Sequence, residues 1–360
     1  MTRRVFIALA PAAAAAQESR KGQTLPPERL RYLDRSTEFP VTRLTSPEHE
    51  TWMPASPGGG ISRRSNAVLA ASSRPGRPEL LWVSLAAGES RILSSAEALD
   101  PHVLALTSDD RWVAYLDGVR LVALQRDNLR EQVLARFGTD GTPPAGVAAS
   151  ADRLTFYFLE SAGNGAKIKS VRLGPGPVQT VAEAEAPVAE LAPNPRRALI
   201  AWRTQAGVIW AGGLDGSKPR SLECPEGRVL QFHWAHDGQS ILYLLEPADT
   251  SKLIEIREQQ VDSRADVLVA KTSQFACFAP NSNGSAFVGA SRSKASPHIL
   301  LLLRATKREF TLCEHGDPDP AASRPVFTPD SQSVVFSSPM HGKRAIYVAA
   351  VERLIEKTTD

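Results

Sequence analysis

The chain has 360 residues, 42% of them hydrophobic and 22% charged, with a formal net charge of +3. This is ordinary globular composition with ample material for a large core, and its near-neutral balance gives no ground for nucleic acid or an anionic membrane surface as partner. The three cysteines, Cys224, Cys277 and Cys313, are far apart and odd in number; they supply neither a disulfide framework nor a zinc spacing and are expected as single buried thiols.

Residues 1–16 read as an export signal. Arg3 and Arg4 precede a short apolar run from Val5 to Ala16, and the alanines before Gln17 offer a small-residue cleavage site. The run is too short to span a bilayer, so the mature chain is expected to carry no membrane span. Thr2-Arg3-Arg4-Val5-Phe6-Ile7 resembles a twin-arginine motif, with the Sec route as the alternative, and a periplasmic or secreted location follows. Residues 17–39 form an N-terminal segment. Pro40-Val41-Thr42-Arg43-Leu44-Thr45 then has the pattern of an outer strand, although it stands ahead of the first full repeat.

From there the chain repeats itself. Asp109, Asp152, Asn194, Asp237, Asn281 and Asp330 recur at intervals of 43, 42, 43, 44 and 49 residues. Six residues after each stands a bulky apolar side chain: Tyr115, Phe158, Ile200, Tyr243, Phe287 and Phe336. A period in the low forties is the mark of a propeller or solenoid. The clearest repeat begins at the turn Ala192-Pro193-Asn194-Pro195. Strands are expected at Ala198–Trp202, Val208–Ala211 and Pro219–Leu222, and a final one enters the next repeat at Val229–Phe232. The third-strand run recurs at Leu80–Val83, Val119–Val122, Lys167–Val171, Leu253–Ile256, Ile299–Leu303 and Ala345–Val348, which makes seven copies. In the first copy Gly58-Gly59-Gly60 and Arg63-Arg64 replace the acidic turn. Helix is expected only in the signal and near 351–357.

The fold class is therefore all-β: a seven-bladed β-propeller over residues 40–351, with four antiparallel strands per blade and a short tail over 352–360. Six blades is the runner-up. A strand left over at the start and missing at the end implies that the N-terminal strand completes the last blade, which removes two open sheet edges. A monomer is expected.

The turns Phe327-Thr328-Pro329-Asp330, Ala279-Pro280-Asn281 and Ala235-His236-Asp237 resemble those of TolB-type propellers. A narrower resemblance, carried by Tyr32-Leu33-Asp34, by the seven repeats and by the last blade from Pro325 to Tyr347, is to the oligogalacturonate lyases. That resemblance implies β-elimination on pectin fragments, with a histidine base and a divalent metal held by histidines. It places two metal histidines at Ala322 and Arg324, the base at Gln231, and a further ligand in Gln274–Cys277, where this chain has no histidine. Alanine cannot ligate, arginine repels a cation, and glutamine is no base at neutral pH. A carbohydrate-binding or degenerate-lyase protein is expected, with no metal or other cofactor. A TolB-type periplasmic scaffold binding another protein is one alternative. An active polysaccharide lyase with a rearranged site, needing a divalent metal such as manganese, is the other. The chain has no G-x-S-x-G elbow, which sets aside the hydrolase-linked propellers.

Among the remaining histidines, His233 is the one weak catalytic candidate, since it shares a strand face with Gln231. His233 and His236 make a poor metal pair by themselves. His315 with Asp317 and Asp319 reads as an exposed loop, or as a relocated cation site. For the central funnel, Trp52 and Trp234 are candidates to stack on sugar rings. Arg63, Arg64 and Arg324 would supply positive charge for an acidic oligosaccharide, and Gln231 a polar contact.

Overall fold

A computed structural model describes residues 20–56, 58–74, 78–138, 144–214, 217–272 and 274–356. The signal expected over 1–16 lies outside them. Each third-strand run pairs antiparallel with the run before it, and seven such sheets stand in a ring. Blade 4 shows the plan: Val188–Pro193 innermost, then Leu199–Thr204, Ile209–Gly213 and the short outer strand Arg220–Ser221. Blade 5 repeats it with Gly227–Trp234, Ser240–Pro247, Ile254–Gln260 and Asp266–Thr272. Seven blades are present, not six.

The apolar side chains show why a ring forms. They gather in seven clusters, and each lies between two neighbouring blades. A lone sheet would leave both faces wet, so every blade needs two neighbours. The bulky residues six after the recurring acid are all buried in these interfaces. Phe336, for example, stacks on Tyr347 with centroids 5.4 Å apart. Cys277 and Cys313 are buried and Cys224 half-buried, all as free thiols.

The recurring acid itself ties turns. Asp152 Oδ1 accepts from the backbone N of Leu154 and Thr155, both at 2.9 Å, and Asn194 Oδ1 does the same for Arg196 and Arg197. Asn194 also donates from Nδ2 to the Gly238 carbonyl of the next blade at 2.8 Å. These side chains are scaffold.

The seam closes as the sequence implies. Pro40–Arg43 pairs antiparallel with Ala345–Ala350 of the last blade, Val41 opposite Ala349. Leu30–Leu33 adds a fifth strand to that blade, and Thr24–Leu25 adds one to blade 1. The segment ahead of residue 40 therefore bridges both sides of the seam. Glu28 fixes it by accepting from Ser46 N at 3.0 Å and Arg74 Nη2 at 2.7 Å. Asp34, buried, accepts from Glu314 N at 2.9 Å. After the last strand a single short helix spans Glu352–Glu356. No helix among the described residues is long and apolar enough to cross a membrane.

Candidate functional site in the central funnel

Three inner strands break their ladder at the same level. The register shifts between Val188 and Glu190, between Val229 and Gln231, and between Phe275 and Cys277. A bulge re-aims the side chains around it. Here Glu190, Gln231 and Cys277, at equivalent positions of blades 4, 5 and 6, all face one cavity of about 220 Å³ on the ring axis. Blade 7 contributes Arg324. Blade 1 contributes residues 54–56 with Gly58 and Gly59, which follow the inner strand Thr51–Trp52. The next residue, Gly60, has φ +70°, and a Cβ there would lie 2.6 Å from Pro54 Cγ, so glycine is required.

The bulge residues also stitch blade to blade. Glu190 Oε2 accepts from Phe232 N at 3.3 Å, and Gln231 Oε1 accepts from Phe278 N at 2.9 Å. His233 Nε2 donates to the Phe278 carbonyl at 2.7 Å, and its ring packs edge-on to that phenyl at 5.1 Å. Because a carbonyl can only accept, Nε2 carries the proton and Nδ1 is left as the basic nitrogen. Burial pushes the His233 pKa down to about 4, against the Phe278 contact, so the ring is neutral at physiological pH.

Glu190 is opposite Arg203 in the hairpin register, and Arg203 Nε reaches its Oε2 at 3.2 Å. Burial raises the Glu190 pKa to about 6, opposed by Arg203, the Phe232 amide and Arg324. Arg324 has a left-handed backbone, φ 43° and ψ 57°, just after the 3₁₀ turn Pro320–Ser323. The residue is exposed to solvent at the cavity, although many protein atoms surround its side chain. Burial lowers its pKa, while Cys277 and Glu190 act in the opposite sense. Among the described residues its guanidinium has no hydrogen-bond or ion-pair partner. Beside it, burial pushes the Cys277 thiol up to about 11, so the group is a neutral thiol, donating to the Pro320 carbonyl at 3.7 Å.

The segment from 315 to 324 is exposed at Gly316, Pro318, Asp319, Ala321 and Arg324 but anchored by buried side chains, which are tied up in hydrogen bonds and free for no cation. His315 and Asp317 are buried. His315 Nε2 donates to the Ser291 carbonyl at 2.9 Å and its Nδ1 accepts from Asp317 N at 3.0 Å. Asp317 Oδ2 takes Arg344 Nη1 at 2.6 Å and Ser323 Oγ at 3.2 Å. Arg344 and Ser337 also donate to the Ala322 carbonyl. Within the 49-residue interval His315, Asp317 and Ser323 point inward to form this polar brace, and the brace sets the turn that presents Arg324.

The expected site residues separate into two groups. Gln231, His233 and Arg324 share the funnel. Arg63 and Arg64 do not: they lie on the turn face, where Arg63 N donates to both oxygens of Asp110 in blade 2 at 3.0 Å and Arg64 lines a separate charged cleft. Trp52 packs between blades 1 and 2 beside His102. Trp234 is buried between blades 4 and 5, with Nε1 donating to the Ala192 carbonyl at 2.9 Å, and reaches only a wider cavity at the turn-side mouth. Both tryptophans fill interfaces because their area is needed there. His236 turns away to Arg196 at 3.0 Å. Glu190 and Arg203 escaped the sequence reading; the signal for them was a charged pair at directly opposed positions of one hairpin.

A divalent metal does not fit this site. No group of three or more histidine, cysteine, aspartate or glutamate side chains among the described residues could hold one. The funnel offers one carboxylate already paired to Arg203, the single imidazole of His233, a neutral thiol, an amide, and the Arg324 guanidinium that repels cations, which is too few free ligands for a metal.

No protein-family model matches the chain, and no functionally curated protein matches it. Solved structures do. One is described as an oligogalacturonate lyase in complex with manganese: TM-score 0.82, 18% identity, covering 92% of this chain and 98% of that one. Another, an oligogalacturonate lyase from Vibrio parahaemolyticus, gives TM-score 0.83 and 18% identity over 93% of this chain and 100% of the other. The Swd1 propeller domain of Myceliophteria thermophila is more distant, at TM-score 0.59 and 10% identity over 81% and 94%. At these identities the shared property is the propeller fold, and with the lyases it extends over nearly the whole of both chains.

Proposed function

We propose that the protein binds a carboxylated oligosaccharide of the oligogalacturonate type in its central funnel, without a metal and without metal-dependent lyase activity. The observation that carries this reading is the Arg324 guanidinium, unpartnered and held by a buried brace inside a polar cavity. A planar cation with free donors is suited to a carboxylate, and preorganisation lowers the cost of capture. Gln231 and Glu190 offer further polar contacts to ring hydroxyls. The whole-chain likeness to lyases that act on oligogalacturonate supports the ligand class. The non-fitting donor set supports the loss of metal chemistry. An exported, periplasmic or secreted protein, as residues 1–16 suggest, would meet such oligosaccharides outside the cytoplasm.

The test is calorimetric titration with trigalacturonate at low ionic strength, together with an absorbance assay for the unsaturated lyase product with and without manganese. Saturable binding is expected, weakened about tenfold or more by Arg324→Met for the loss of a charge-assisted contact, with no product in either assay. Absence of binding heat, or product that depends on manganese, would overturn the proposal.

A further inference from the structure

Resting on that reading of the funnel as a carboxylate site, we propose that ligand capture is coupled to protonation of Glu190: the anion enters together with one proton, which Glu190 takes up. The geometry leads there. One oxygen of Glu190, Oε2, is engaged by Arg203 Nε at 3.2 Å and Phe232 N at 3.3 Å. The other, Oε1, has no protein partner among the described residues, and Glu190 lines the same 220 Å³ cavity as Arg324. Arg324 lies in the electrostatic field of Glu190. A ligand carboxylate docked on Arg324 therefore brings a second anion against the first in a confined space. Two carboxylates in one site cannot both stay ionised cheaply, and the weaker acid of the two takes the proton.

Glu190 is that weaker acid. A sugar carboxylate ionises near the ordinary range for an unperturbed carboxyl, roughly pH 3–4, whereas burial has already raised Glu190 to about 6. Protonation also serves recognition: Oε1–H becomes a donor that an incoming carboxylate or hydroxyl oxygen can accept, while Oε2 keeps Arg203. The other charged or titratable groups around Glu190 do not compete for the proton. Arg203 and Arg324 are cations throughout. His233 is held neutral with its pKa at about 4, and Cys277 is a thiol with its pKa at about 11. Asp319 and Arg344 act electrostatically on Arg324. The loop from Pro54 to Gly59 brings no titratable group. Glu190 is then a specificity residue: it favours a ligand whose carboxylate at Arg324 is carried in with a proton.

The sign follows from linkage. Binding raises the Glu190 pKa, so affinity rises as pH falls and levels off below about 6. Between pH 7.5 and 5.5 the gain reaches up to about 25-fold if the bound carboxyl stays protonated. The experiment is titration of the full chain with trigalacturonate at both pH values, each in two buffers of different ionisation heat. The heats should report uptake of close to one proton per ligand at pH 7.5, a measurement that needs no variant. Glu190→Gln should bind with the same affinity at both pH values, tighter than the native chain at pH 7.5, and without buffer-dependent heat. Saturable binding with no proton uptake and equal affinity at both pH values would overturn the coupling and leave the carboxylate site standing. No binding at either pH would overturn both.

Discussion

Arg344→Met tests whether the buried brace sets the funnel. Arg344 Nη1 donates to Asp317 Oδ2 at 2.6 Å, and the Asp317 side chain has no solvent exposure against 17% for Arg344. Removing the arginine strands a carboxylate that keeps only Ser323 Oγ and the Asp319 amide as donors. Breaking one side of a buried pair costs ~3–5 kcal/mol, and the partial exposure of Arg344 favours the lower end, about 3 kcal/mol. With a urea m-value of about 3 kcal/mol/M for a chain of this size, the equilibrium unfolding midpoint should fall by about 1 M. Asp317→Asn combined with Arg344→Met removes the stranded charge and should recover most of that loss, since replacing both partners is far cheaper than replacing one. The single variant should also weaken trigalacturonate binding although Arg344 does not line the cavity, because the turn that carries Arg324 is released. A single variant that loses under about 1 kcal/mol, or a double variant as unstable as the single one, would refute this account of the brace.

Two further outcomes are expected. The His233 ring should show no titration by proton NMR between pH 8 and 5, since its pKa is lowered to about 4 by burial. In the unfolded chain it ionises near 6.5, so its contribution to stability is complete above about 6.5 and is lost as pH falls toward 4; a midpoint near 6.5 in the folded protein would contradict the buried neutral ring. Gly60→Ala should destabilise by about 2 kcal/mol, through its positive φ and the clash with Pro54. Gly58→Ala, also at positive φ but with open space around the new methyl, should cost about half as much, and equal losses in thermal melts would rule out the clash.

Periodicity made the scaffold legible. A turn-forming acid with a bulky apolar residue six positions on can be counted along the chain, and the unmatched strand at Pro40 pointed to the closing blade. Those signals are local, so they survive without any knowledge of neighbours. The funnel is different, because its composition depends on which side of a strand each residue faces. A single bulge residue reverses that facing, and Ala189, Leu230 and Ala276 give no warning in the sequence that they are bulges. Gln231 and Arg324 were picked out by resemblance, Glu190 and Arg203 were not. Trp52 and Trp234 were read for stacking on a ligand when the ring needs them between blades. His315 and Asp317 looked like an exposed polar loop because their partners, Ser291 and Arg344, lie in other strands.

The seam has a consequence for how the chain is made. The closing strand leaves the ribosome long before its partner: Thr45 accepts from Ile346 N across 301 residues. At roughly 5–20 residues per second, that strand waits on the order of 15–60 s before its place in the ring exists. During that interval blade 1 has no neighbour on one side and the strand edge is open. A circular permutant that begins at the blade 3–4 junction, between 184 and 188, would shift this waiting period to a different pair of blades while leaving the finished ring unchanged.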